Sequence, residues 1–98
     1  MQALLESFLE HLSLERNLSD HTVKAYSGDL SRFLSFAAEY LGVAPERLDA
    51  RRIDSPCVRA FVASLARSGL SRKAQGRALS AVRSFFRFLC REEEADLN

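Results

Sequence analysis

The 98-residue sequence predicts an all-α fold, a compact four-helix bundle forming one domain. Three observations support this. Apolar residues recur at helical spacing, and no stretch sustains a two-residue alternation. Serine, proline and glycine stand where helices begin and end. Hydrophobic residues make up 47% of the chain, enough for one buried core, while the length is too short for two.

In the first helix, expected at about 2–15, Leu4, Leu5, Phe8, Leu9 and Leu12 form the apolar stripe, and Asn17 supplies a stop. Ser19 is a natural N-cap for a second helix over 20–41, with Leu18 and Val23 in the positions of a hydrophobic staple. Its stripe is Val23, Tyr26, Leu30, Phe33, Leu34, Ala37 and Leu41, and Gly42 falls in the C′ position. Residues 42–54 read as a connection with a single turn at Pro45–Leu48. Ser55-Pro56 supplies a cap and a first-turn proline for a third helix at 56–68, which would bury Val58, Phe61, Val62 and Leu65. Gly69 stops it, and Ser71 caps a fourth helix at 72–92. The terminal EEEADLN reads as fraying or as the start of an interdomain linker.

The totals also exclude function classes. No apolar run approaches a membrane span, and the acidic N-terminus lacks the basic start of a signal peptide, so a cytoplasmic protein with no membrane partner is expected. Cys57 and Cys90 are too few and too far apart for a disulfide framework or a CxxC metal site, and both are expected to be buried reduced thiols. Paired carboxylates, nucleophile–base pairs, glycine-rich phosphate loops and metal clusters are not evident, so no catalytic residue, metal or cofactor is assigned.

Charge is unevenly placed. Between Arg67 and Arg91 lie seven cations and no acid, while the rest of the chain nets −6. On an ideal helix Lys73, Arg77, Ser80, Ser84, Arg87 and Arg91 step by three or four and form one stripe. Ala74, Ala78, Val82, Phe85, Phe86 and Leu89 take the other side, which makes the phenylalanines core and removes the reading of a base-stacking platform. Arg72 and Lys73 occupy the first turn, where the helix dipole disfavours cations. A phosphate bound at that N-terminus would explain them; solvated surface cations are the plainer alternative. A second patch adds weight: the other long helix opens on Ser19, Asp20, His21 and Thr22, followed by Lys24. Capping explains Ser19 but leaves His21 and Thr22 available to phosphates or base edges. His11, on the rim of the first helix, is given no function.

Two segments, LERNLSDHTVKAYSGDLSRFLSF (14–36) and SGLSRKAQGRALSAVRSFFRFLCRE (68–92), resemble the N-terminal core-binding domain of tyrosine site-specific recombinases, most closely the Xer type. DSPCVRAFVASLARSG (54–69) is similar to the family's third helix, so the resemblance covers nearly the whole chain. It implies a SAM-like bundle forming half of a clamp on double-stranded DNA, with the openings of the second and fourth helices in the major groove. Carried onto matching positions, it points to Ser19, His21, Thr22 and Ala25, and to Lys73, Ala74 and Arg77. The two alanines offer only methyl contacts. With Lys24, Arg72 and Ser80 from the two patches, the expected DNA-binding set is Ser19, His21, Thr22, Lys24, Arg72, Lys73, Arg77 and Ser80.

The family's chemistry resides in a C-terminal domain, which would begin after Asn98, so this chain is expected to bind DNA and not to cut it. Implied partners are that catalytic domain and other recombinase protomers, through the first helix. Gly76, where a larger residue is expected, would allow close backbone approach. The alternative is a helical protein-interaction module with a basic face, for which Arg87 and Arg91 are the best candidates. A helix-turn-helix regulator fits less well, because no partner arrangement or dimer element is visible.

Overall fold

The computed structural model describes residues 1–97, with side chains as far as Glu93. Among them are four α-helices, α1 (Gln2–Leu14), α2 (Asp20–Leu41), α3 (Ser55–Arg67) and α4 (Arg72–Leu97), and no strand. Each boundary has a local cause. After α1, Asn17 takes the left-handed conformation at φ 54°, which asparagine tolerates better than most residues, and Leu18 N–H reaches back to Leu12 O at 3.0 Å. Gly42, at φ 70°, closes α2 as a left-handed cap.

The connection carries two one-turn 3-10 helices, Pro45–Arg47 and Ala50–Arg52, where the sequence suggests one turn. The second starts because the Asp49 carboxylate accepts Arg51 N–H at 3.0 Å. The α3 start also differs from expectation. Asp54 is the N-cap, accepting Cys57 N–H at 3.1 Å, so Ser55 is the first helical residue and Pro56 the second. At the other end of the chain, α4 runs five residues beyond 92, through a Glu-Glu-Ala segment with no breaker. The helix thus continues through the segment that reads in sequence as fraying or the start of a linker.

The core is aromatic and reaches all four helices. Phe8 of α1 packs against Phe85 and Phe88 of α4, both at 5.4 Å between ring centroids. Phe33 of α2 meets Phe61 of α3 at 5.0 Å and Phe86 of α4 at 6.1 Å. Each such pair adds about 0.5–1.5 kcal/mol beyond burial alone. Phe88 and Ala81 are buried although they fall outside the expected stripe, Phe88 because Phe8 and His11 of α1 cover it. Conversely, Phe86 and Leu89 are only partly buried, and Leu4 is exposed.

The α2–α4 contact is the most extensive between helices. Two of its pairings, Asp29 with Arg77 and Phe33 with Phe86, advance in the same sense along both helices. The Asp29–Arg77 contact lies within three turns of each helix opening, Asp20 on α2 and Arg72 on α4.

Candidate nucleic-acid interface

The two sequence patches are the openings of these two helices. At the α2 opening, Ser19 is extended, and its hydroxyl accepts Thr22 N–H at 3.2 Å. The same hydroxyl donates to Thr22 Oγ1 at 3.0 Å, which ties Thr22 to the cap while its own O–H makes no hydrogen bond among the described residues. His21 and Lys24 are exposed beside it, and Ala25 is half-buried.

The α4 opening is made by Gly69, at φ 86°, and by Ser71, whose hydroxyl accepts Ala74 N–H at 3.1 Å. Gln75 donates from Nε2 to Leu70 O at 2.8 Å and ties the turn to the helix. Arg72, Lys73 and Ser80 are exposed, and neither Arg72 nor Lys73 makes an ion pair among the described residues. The two cations thus stand at the positive end of the helix dipole with no acid paired to them among the described residues. Gly76 follows one turn later. A Cβ added there, or at Gly28 on α2, would meet nothing within 4 Å, so the fold itself requires neither glycine.

Arg77 has a different environment. Its Nε and Nη2 donate to the two carboxylate oxygens of Asp29, at 2.8 and 3.0 Å. The Asp29 side chain is 5% exposed and that of Arg77 46%. The hydrogen bonds and charge of Asp29 push the guanidinium's pKa further above its ordinary value. The sequence pattern presents Arg77 as a free contact, whereas the structure gives it an acid partner. Asp29, absent from the expected set, lies between Tyr26 and Phe33 on the buried stripe of α2. An acid in such a position calls for a cationic partner.

The rest of the basic stripe divides further. Ser84 accepts a long hydrogen bond from Arg16 Nη1, at 3.5 Å. Arg87 Nε lies 3.5 Å from Arg83 O, and Arg91 lines a shallow pocket with Glu10, Glu15 and Glu92. A longer groove between α3 and α4 exposes Val58, Val62, Leu79 and Phe86, with Arg59 and Arg83 at its margin. Cys57 is buried as expected, and burial pushes its thiol pKa up. Cys90 is exposed, correcting the sequence expectation, because it lies on the α3 side of α4 where that groove leaves it uncovered. His11 stacks on Phe88 and pairs through Nδ1 with Glu15 at 3.0 Å, a packing role.

Residues 5–93 match the family model described as phage integrase, N-terminal SAM-like domain. The chain is 40% identical to tyrosine recombinase XerC of Pelobacter propionicus over 94 residues, covering 93% of this chain and 30% of that protein. It is 40% identical to XerC of Pseudomonas aeruginosa over 92 residues, 94% of this chain and 29% of that one. Against tyrosine recombinase XerD of Chlorobaculum tepidum it is 42% identical over 94 residues, 96% of this chain and 29% of the relative. The chain therefore spans about 30% of the length of these curated relatives. No solved structure matches it.

Proposed function

The chain belongs to the phage-integrase N-terminal SAM-like family, and from that premise we propose that it is the DNA-binding clamp domain of a tyrosine recombinase. In this reading it holds duplex DNA for site-specific recombination, while a separate catalytic domain cuts and rejoins the strands. Other recombinase protomers assembled on the same DNA are its further partners. The observation that carries the reading is the α4 opening: among the described residues Arg72 and Lys73 make no ion pair at this helix N-terminus, on a helix that Arg77 joins to Asp29 of α2. An isolated pair of cations there opposes the dipole, whereas a phosphate would satisfy both the N–H groups and the side chains.

The contacts divide by chemistry. Arg72, Lys73 and Lys24 are suited to phosphates, and His21 and Ser80 to phosphates or base edges. Ser19 holds the α2 opening in shape through its two hydrogen bonds with Thr22, whose own O–H is left to donate to a phosphate. The test is an anisotropy titration of the chain with a labelled random-sequence duplex across a salt series. Replacing Arg72 and Lys73 by alanine should weaken binding and reduce the salt slope by about 1 for each phosphate no longer neutralised. Unchanged affinity and slope would remove the assignment.

A second reading, a protein-interaction module, is favoured by one observation: the α3–α4 groove leaves Val62 and Leu79 partly exposed beneath arginines. Its charge suits an acidic amphipathic segment. The two readings use different faces of α4, and both can hold for one molecule.

A further inference from the structure

Asp29 and Arg77 join the two helices whose openings form the proposed DNA face. Among the described residues theirs is the only side-chain contact by hydrogen bonds between α2 and α4. From Arg72 to Ala78, α4 has no aromatic or branched apolar side chain with which to key into its neighbour. Farther along, Phe85, Phe86 and Phe88 lock the helix firmly. At the basic end, apolar anchoring is limited to the small Ala78 and to Leu70 of the preceding turn, and the bidentate pair is its one side-chain tie by hydrogen bonds to α2 among the described residues. With a rise of about 1.5 Å per residue, the α2 opening lies about 14 Å from the pair and the α4 opening about 8 Å. A few degrees of tilt at the pair become about 1 Å at the openings.

Stability alone is a poor reason for such a pair. Burying a carboxylate is costly, and a well-packed apolar pair is often as stable or more so. What the ion pair adds is direction: a planar guanidinium held at two points by a carboxylate has a fixed orientation. Only Nε and Nη2 are used, so both N–H groups of Nη1 lie outside the pair, on a side chain that stays 46% exposed.

We infer that Asp29 is a positioning residue for DNA binding: through its bidentate contact with Arg77 it sets the spacing of the α2 and α4 openings and holds the Arg77 fork with Nη1 available to a phosphate. This rests on the DNA-binding reading above. It makes an acid necessary for binding a polyanion, the opposite of what charge alone predicts.

That opposition is the test. Asp29→Asn removes a negative charge, so simple electrostatics predicts tighter binding to a random-sequence duplex. Positioning predicts about tenfold weaker binding at a temperature where circular dichroism shows the variant folded. Arg77→Lys keeps the cation but cannot make the two-point contact, and should lose affinity to a similar extent. The double variant should lose no more than either single one, since both break one unit. An Asp29→Asn variant that binds as tightly as the native chain, or tighter, overturns the proposal. Where Asp29→Asn does not fold, Arg77→Lys decides alone, and native-like affinity there overturns it. A native chain that does not bind the duplex even at low salt overturns the DNA-binding reading and this inference with it; native binding with unimpaired variants overturns the inference only.

Discussion

Arg72–Ser80 and Arg83–Arg91 are successive stretches of one helix with three cations each, yet they are held in place by different means. The later stretch is anchored by rings. Phe85 and Phe88 pack on Phe8, and Phe86 meets Phe33 edge-on. The earlier stretch has Leu79 as its only large apolar residue, buries the small Ala78, and is tied to α2 by the Asp29–Arg77 pair. Arg72 and Lys73 stand clear at its helix opening, whereas the cations of the later stretch lie over a groove or among acids. Counting positive charge does not distinguish the two. What surrounds each cation does, and that follows from which neighbouring helix covers α4 at that point.

The largest effect should come from the anchoring stretch. Phe85→Ala removes a fully buried ring and should cost about 3–5 kcal/mol in a urea unfolding experiment. A loss under about 1 kcal/mol would mean that the later stretch is not the anchor. Gly76→Ala, in the presenting stretch, should act in the other direction. A methyl there meets nothing, and alanine is the better helix former, so the free domain should gain about 0.5–1 kcal/mol. If Gly76 lies against a DNA backbone, the same variant should bind duplex less tightly despite its greater stability. Loss of stability on that substitution would show that the helix surface is less open than the structure has it.

Much of this contrast is legible in the sequence. The period of the apolar residues predicts four helices in order, and Ser19, Gly42 and Ser71 mark ends that the structure repeats. Local chemistry suffices because capping depends on residues within one turn. The predicted α3 start falls one residue late because Asp54 and Ser55 are both good caps, and only backbone geometry decides between them. The site is less legible. Helical spacing places Lys73, Arg77 and Ser84 on one line, but the partners of Arg77 and Ser84 lie 48 and 68 residues away. A pattern along one helix does not report which side another helix covers. Phe88 and Cys90 depart from expectation for that reason, one covered by α1 and the other left open beside α3. Asp29 alone carries a usable signal, an acid within an apolar stripe.

The smallest expected effect tests whether the two stretches form one binding surface. Arg87→Ala and Arg91→Ala should each leave duplex affinity and its salt slope unchanged. Helix rise puts these residues about 22 and 28 Å from the α4 opening, more than about two Debye lengths at physiological salt. Their surroundings point the same way. Arg91 shares its pocket with Glu10, Glu15 and Glu92, so a phosphate there would meet acids as well as a cation. Arg87 lies beside the groove to α3, whose exposed apolar floor suits a protein side chain better than a sugar–phosphate chain. A slope reduced by about 1 in either variant would place a phosphate on the later stretch and extend the interface along the whole of α4. An unchanged slope combined with weaker binding to a protein would assign that stretch to a partner chain, leaving DNA to the helix opening at Arg72 and Lys73.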